Sequence, residues 1–167
     1  MVTFDVNYAL DSNIVFGGYK YSKSSPSTTK AIVGLYYNVD PYNRLLWINM
    51  YTYSTTTLSQ TESLVFAQGS SSLGVSFRTS SPSGYLVGLL SPTDGSLLYA
   101  THLTDAALPS LSSYPSKTML ALDSSGQLLV AYSQTNVANG QPDLIIARFS
   151  SDFSTLTWKL TAACSSS

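Results

Sequence analysis

The chain carries one histidine and one cysteine, which narrows the chemistry open to it. His102 lies in Tyr99-Ala100-Thr101-His102-Leu103-Thr104-Asp105, and serines are abundant elsewhere. A Ser-His-Asp triad on a strand-to-helix elbow would call for Gly-x-Ser-x-Gly, which does not occur. His102 therefore reads as a strand histidine at a sheet edge. Cys164, in the run Cys164-Ser165-Ser166-Ser167, reads as a spare thiol, and a single cysteine excludes an intrachain disulfide. One His and one Cys fall short of the three or four ligands that zinc takes.

Carboxylates are the next candidates. The chain has eight Asp and one Glu, Glu62. Glycoside hydrolysis needs two carboxyl groups about 5–10 Å apart. Asp5, Asp40, Asp94, Asp123, Asp143 and Asp152 could provide such a pair only from distant parts of the chain. All six sit in or beside turn-like segments, where an Asp carboxylate accepts a bond from the amide two residues on. Turn chemistry explains them without a substrate. Asp123-Ser124-Ser125-Gly126 lacks the alternating acidic ladder of a calcium loop. The expectation is a protein that is not an enzyme, with no catalytic residue, no cofactor and no metal site.

The elements that would position these groups are short strands in a repeated order. Ile32-Val33-Gly34-Leu35 precedes a turn and Leu45-Leu46-Trp47. Leu86-Val87-Gly88-Leu89 precedes Ser91-Pro92-Thr93-Asp94-Gly95 and Leu97-Leu98-Tyr99. Ile145-Ile146-Ala147-Arg148 precedes Ser150-Ser151-Asp152 and Leu156-Thr157-Trp158. Apolar runs joined by Asp, Pro, Gly and Ser signal hairpins. The small residue (Gly34, Gly88, Ala147) and the aromatic (Trp47, Tyr99, Trp158) stand 13, 11 and 11 positions apart, which marks each pair as one unit of a repeat.

Two more runs precede each pair. Ile14-Val15-Phe16-Gly17-Gly18 aligns with Gly74-Val75-Ser76-Phe77 and with Leu129-Val130-Ala131-Tyr132. Before these come Val2 to Leu10, Ser63 to Ala67 and Thr118 to Leu122. The reading is three units of four strands, about twelve strands in all. No segment of helical length shows apolar residues at helical spacing. Loops are expected over 20–30, 79–84 and 133–143, and connectors over 53–62 and 104–117, because these stretches are polar and rich in Ser, Thr or Pro.

Only 10% of residues are charged, where a typical domain has about 25%. The 30 Ser and 17 Thr fill the difference, and an aromatic content of 12% argues for packed structure rather than disorder. A net charge of −1 with no Lys/Arg cluster disfavours a nucleic-acid partner. No apolar run nears the ~20 residues of a helical membrane span. Met1-Val2-Thr3-Phe4-Asp5 lacks the basic-then-apolar order of a secretory leader.

Tyr85 to Thr101 and Ala121 to Ser133 resemble the blades of the seven-bladed β-propeller repeat family. Phe16-Gly17-Gly18-Tyr19 with Leu45-Leu46-Trp47 is similar, with a longer turn through Asn38 to Tyr42. The resemblance implies an all-β fold of β-propeller blades, three four-stranded antiparallel sheets, as a partial propeller or half of a six-bladed ring. The blades would lie near 1–53, 63–104 and 118–162 of a single domain, residues 1–167. The resemblance also implies a cell-surface or extracellular setting, and it brings no catalytic residues with it. In such a fold Gly34, Gly88 and Ala147 would let inner strands converge on an axis. Trp47, Tyr99 and Trp158 would fill the gaps between sheets as core residues.

Closed propellers take about 4 to 8 blades, so three blades leave open edges and faces that need covering. The expected partners are protein subunits, among them a second copy that completes a ring. The expected function is a structural scaffold or protein-interaction module. The alternative is a carbohydrate-binding propeller with sugars stacked on Tyr19, Tyr21, Tyr42, Tyr51, Tyr53 or Tyr114. A fragment of a propeller glycosidase ranks third.

Overall fold

In a computed structural model of the chain, all regular structure among the described residues is β. The structure describes residues 3–9, 13–22, 25–54, 56–66, 72–81, 83–103, 118–123, 125, 127–135, 140–150 and 156–163. Sheet I holds β1 (Thr3–Ala9), β2 (Asn13–Ser22), β3 (Ser25–Tyr37) and β4 (Arg44–Met50). Sheet II holds β5 (Thr57–Phe66), β6 (Leu73–Ser81), β7 (Ser83–Leu90) and β8 (Leu97–His102). Sheet III holds β9 (Met119–Leu122), β10 (Leu128–Thr135), β11 (Pro142–Phe149) and β12 (Leu156–Ala163). Each sheet is an antiparallel meander in which consecutive strands are neighbours.

The three meanders share one register. Gly34, Gly88 and Ala147 all lie on the third strand, opposite Phe16, Val75 and Val130 on the second. On the fourth strand their partners are Ile48, Ala100 and Lys159. The next residue along, Leu35, Leu89 or Arg148, faces Trp47, Tyr99 or Trp158. Immediately after it the register shifts in every sheet, leaving Leu46, Leu98 or Thr157 unpaired in the fourth strand and exposed. A bulge adds one residue to one strand and sharpens its twist, so these fourth strands bend at the same place. In sheet I the second-strand alignment runs one residue later than the sequence suggests: Phe16, not Val15, stands level with Val75 and Val130.

Alternation along the strands gives each sheet two faces. In β7, Leu86 and Leu90 enter a cluster with Val15, Val33 and Leu35 of sheet I, whereas Tyr85, Val87 and Leu89 enter a second cluster with Val130, Ile145 and Phe149 of sheet III. Sheet II is therefore buried on both faces, between its two neighbours. Fully burying each Leu, Val or Ile contributes about 1.5–3 kcal/mol. These two clusters are what hold the sheets together. Contacts between sheets run from I to II, mainly through β5, and from II to III through β9. The described residues thus form a stack and not a closed ring.

Several strands outrun the loops expected from sequence. β2 and β3 extend through 20–30 apart from residues 23–24, which lie outside the described set, and β6 and β7 approach each other at Ser81 and Ser83. β10 reaches Thr135 and β11 begins at Pro142, so the 133–143 loop is also shorter. The expected connector 53–62 is mostly β5, in which Leu58 and Thr61 are buried. Ser and Thr do not oppose a strand, and Thr favours one, so polarity alone misplaced these boundaries. The connector 104–117 lies outside the described residues.

The small residues also have a different role from the one expected. Gly34 and Gly88 are flanked by strands on both sides within their own sheets, not poised at an axis. A Cβ on Gly34 would overlap the Phe16 ring, and one on Gly88 would lie 2.5 Å from the Tyr99 carbonyl oxygen. The missing side chains make room for neighbours in the same sheet.

Candidate functional site

The seam between sheets I and II carries a row of donors at period two. Trp47, Asn49, Tyr51 and Tyr53 follow one another down the inward side of β4 and its extension. Trp47 Nε1 donates to the Pro92 carbonyl (2.9 Å), Asn49 Nδ2 to that of Asp94 (2.8 Å) and the Tyr51 hydroxyl to that of Gly95 (2.6 Å). The Tyr53 hydroxyl reaches the Ala100 carbonyl at 3.4 Å. The acceptors belong to the β7–β8 turn and to β8, so sheet I is bonded directly onto the hairpin of sheet II. Gly95, with φ +72°, suits the turn, and a Cβ there would be 2.6 Å from the Trp47 ring. Only glycine meets both demands.

Buried Tyr51 also stacks at a tilt on Phe77, with ring centroids 5.1 Å apart. Its phenol is pushed far above its usual pKa, chiefly by burial and against the lowering bond to Asn49. It acts as a neutral donor. Thr61 Oγ1 adds a bond to the Ile32 carbonyl (2.7 Å), and Gly17 lets the Thr61 methyl approach closely.

His102 ends this row. Its Nε2 lies 3.1 Å from Thr56 Oγ1, and its ring meets Tyr53 edge-on at 5.7 Å. Its Nδ1 is buried without a partner, so among the described residues no carboxylate orients the imidazole as a triad requires. Desolvation lowers its pKa, which keeps it neutral at pH 7.

Of the described acids, Asp40, Asp94 and Asp123 lie in turns, and Glu62 and Asp123 in ion pairs. Asp5, by contrast, lies inside β1, away from the turn expected for it, and Asp143 near the start of β11; Asp152 lies outside the described residues. Asp94 Oδ1 accepts from the Ser96 amide (2.9 Å) and Asp123 Oδ1 from the Ser125 amide (2.8 Å), each two residues on, as the sequence suggested. Asp123 also takes the Ser125 hydroxyl, the Gln127 amide and the Arg148 guanidinium, the last at 2.5 Å. The Ser125 hydroxyl first, then these other groups, hold its carboxyl down at about 2. Glu62 has a buried carboxylate 2.8 Å from Arg78 Nε and accepts from Gln60. Nothing in the sequence marked that pair, since the partners are joined only by the β5–β6 pairing. Among the described residues no three His, Cys, Asp or Glu gather as a metal site would require.

The candidate ligand-facing tyrosines do not converge. Tyr19 and Tyr21 lie two residues apart on β2, their rings 6.4 Å apart. Tyr42, in the β3–β4 turn, is 70% exposed. Tyr53 is half-buried in the seam, and Tyr51 is part of the core. Tyr114 and Cys164 lie outside the described residues, as does the Trp158 side chain. Trp47 fills the gap between sheets I and II, but Tyr99 is 46% exposed and does not belong to the core. Its equivalence to Trp47 fixes its register, not its cover.

Among the described residues, exposed apolar side chains gather at the two ends of the stack. Sheet I turns Ile14, Phe16, Tyr36, Ile48 and Met50 away from sheet II, with Met50 54% exposed. Sheet III turns Met119, Leu129, Leu144, Ile146 and Leu160 away from it, with Met119 70% and Leu160 55% exposed. The sequence periodicity contained both faces, but only the stacking order identifies which sheets are terminal. Large contiguous exposed apolar faces are uncommon on monomeric proteins. No helix among the described residues is long and apolar enough to cross a membrane. No protein-family model and no curated protein matches the chain.

Proposed function

We propose that the chain is a non-catalytic protein-interaction module of the β-propeller type, its sheets serving as three blades and its outer faces docking onto protein. One observation carries this reading: sheet II is covered on both faces, while the corresponding outer faces of sheets I and III stay open. A repeat whose interior unit needs two neighbours leaves its end units needing one each. The low charge of the chain suits such contacts, because few ions must be desolvated. A double variant, Met50→Asp with Leu160→Asp, tests the reading by light scattering. The wild type is expected to have a mass above the 17.9 kDa of one chain, and the variant to fall to that value with an unchanged circular dichroism spectrum. A wild type that stays at one-chain mass and binds no protein opposes the reading.

The carbohydrate-binding alternative draws on exposed Tyr42 and the Tyr19–Tyr21 pair. Fluorescence titration with simple sugars separates the two: a flat response supports the interaction module, and a saturable one the sugar site.

A further inference from the structure

We infer that the occupant of both open faces is a second copy of this chain, joined head to tail so that two copies close a six-sheet ring. This rests on the interaction reading above and names its partner. The faces come in two kinds, repeated through the shared register. One kind contains Phe16, Val75 and Val130, and the other contains Val33, Val87 and Ile146. At the I–II junction, Val33 of sheet I belongs to the same cluster as Val75 of sheet II. At the II–III junction, Val87 of sheet II belongs to the same cluster as Val130 of sheet III. Both internal junctions therefore join the second kind of face to the first.

The open ends are the unused halves of this same junction. Sheet I exposes the first kind, around Phe16, and sheet III the second, around Ile146. Each copy thus carries one half at each end, and a second copy can supply both missing halves at once. Any other partner would have to reproduce the two unlike faces independently. Charge does not select the partner: Arg148 on the sheet III face is paired with Asp123, while exposed Lys20 and Lys30 lie opposite each other at one end of the sheet I face. Head-to-tail contacts close when the rotation allows and otherwise run on as filaments. Two copies bring the sheets to six, inside the range of about 4 to 8 at which propellers close.

Two single variants at exposed positions, Met50→Asp and Leu160→Arg, provide the test, with Ile48→Asp as substitute should the first fail to fold. Light scattering of the wild type is expected to give twice the one-chain mass. Each variant alone spoils both junctions of a two-copy ring and is expected to give the mass of one chain. Mixing the variants restores one wild-type junction and sets Asp against Arg at the other, so the two-chain mass returns. A two-chain wild type that one variant leaves intact indicates like-to-like pairing and overturns the inference, as does a mixture that stays monomeric or a wild type that grows into longer assemblies. In those cases the faces still associate. Indifference of the wild-type mass to both variants removes the underlying reading too.

Discussion

Gly88 gives the sharpest test of the shared register. A Cβ at this position would lie 2.5 Å from the Tyr99 carbonyl oxygen, 3.2 Å from Leu97 Cδ1 and 3.3 Å from Ala100 Cβ. The nearest obstacle is backbone, so no rotamer change relieves it. Restoring ordinary contact requires β7 and β8 to separate by about 1 Å, which stretches ladder bonds out of hydrogen-bonding range. Overpacking costs roughly 1–3 kcal/mol, and weakening one or two ladder bonds adds about 1 kcal/mol each. Against this, replacing glycine returns about 0.5–1 kcal/mol by restricting the unfolded chain. Gly88→Val should therefore destabilise by about 2–4 kcal/mol, read as a lower urea midpoint at unchanged slope. Ala147 occupies the same register position and already accommodates a Cβ, so Ala147→Gly should cost only about 0.5–1 kcal/mol. A Gly88→Val protein as stable as wild type would refute the close approach of β7 and β8.

Two further substitutions address the seam and a turn. Tyr51→Phe keeps the contact with Phe77 but removes the bond to the Gly95 carbonyl, and should cost about 1–2 kcal/mol in a denaturation curve. An unchanged midpoint would show that this bond does not hold the sheets together. Asp123 titrates at about 2 in the folded chain, below the usual carboxylate value, so its contribution is present above pH ~4 and is lost as pH falls towards 2. Asp123→Asn should flatten the stability profile in that window, and a profile identical to wild type would exclude the Arg148 and Ser125 contacts as its source.

The repeat was legible because register is written in local pattern: a small residue, an apolar neighbour, a turn and an aromatic recur three times. Strand ends were less legible, since the Ser- and Thr-rich stretch opening β5 looks like a loop until Leu58 and Thr61 meet a neighbouring sheet. The donor row was readable in principle as Trp47, Asn49, Tyr51 and Tyr53 at period two. Its acceptors are backbone carbonyls some 45 residues away, and no residue type announces them. Tyr99 illustrates the converse. Equivalence in sequence sets a position in the sheet, whereas burial depends on what the next sheet brings to it.

Met50 and Met119 are built-in reporters, one on each terminal face. Mild peroxide treatment of the wild-type protein, with site occupancy read by mass spectrometry, asks directly whether those faces are covered. The account predicts that both methionines oxidise far more slowly than in the Leu160→Arg variant, which leaves them 54% and 70% exposed as in the single chain. Oxidation of both at the rate of a free methionine peptide in the wild type would contradict it.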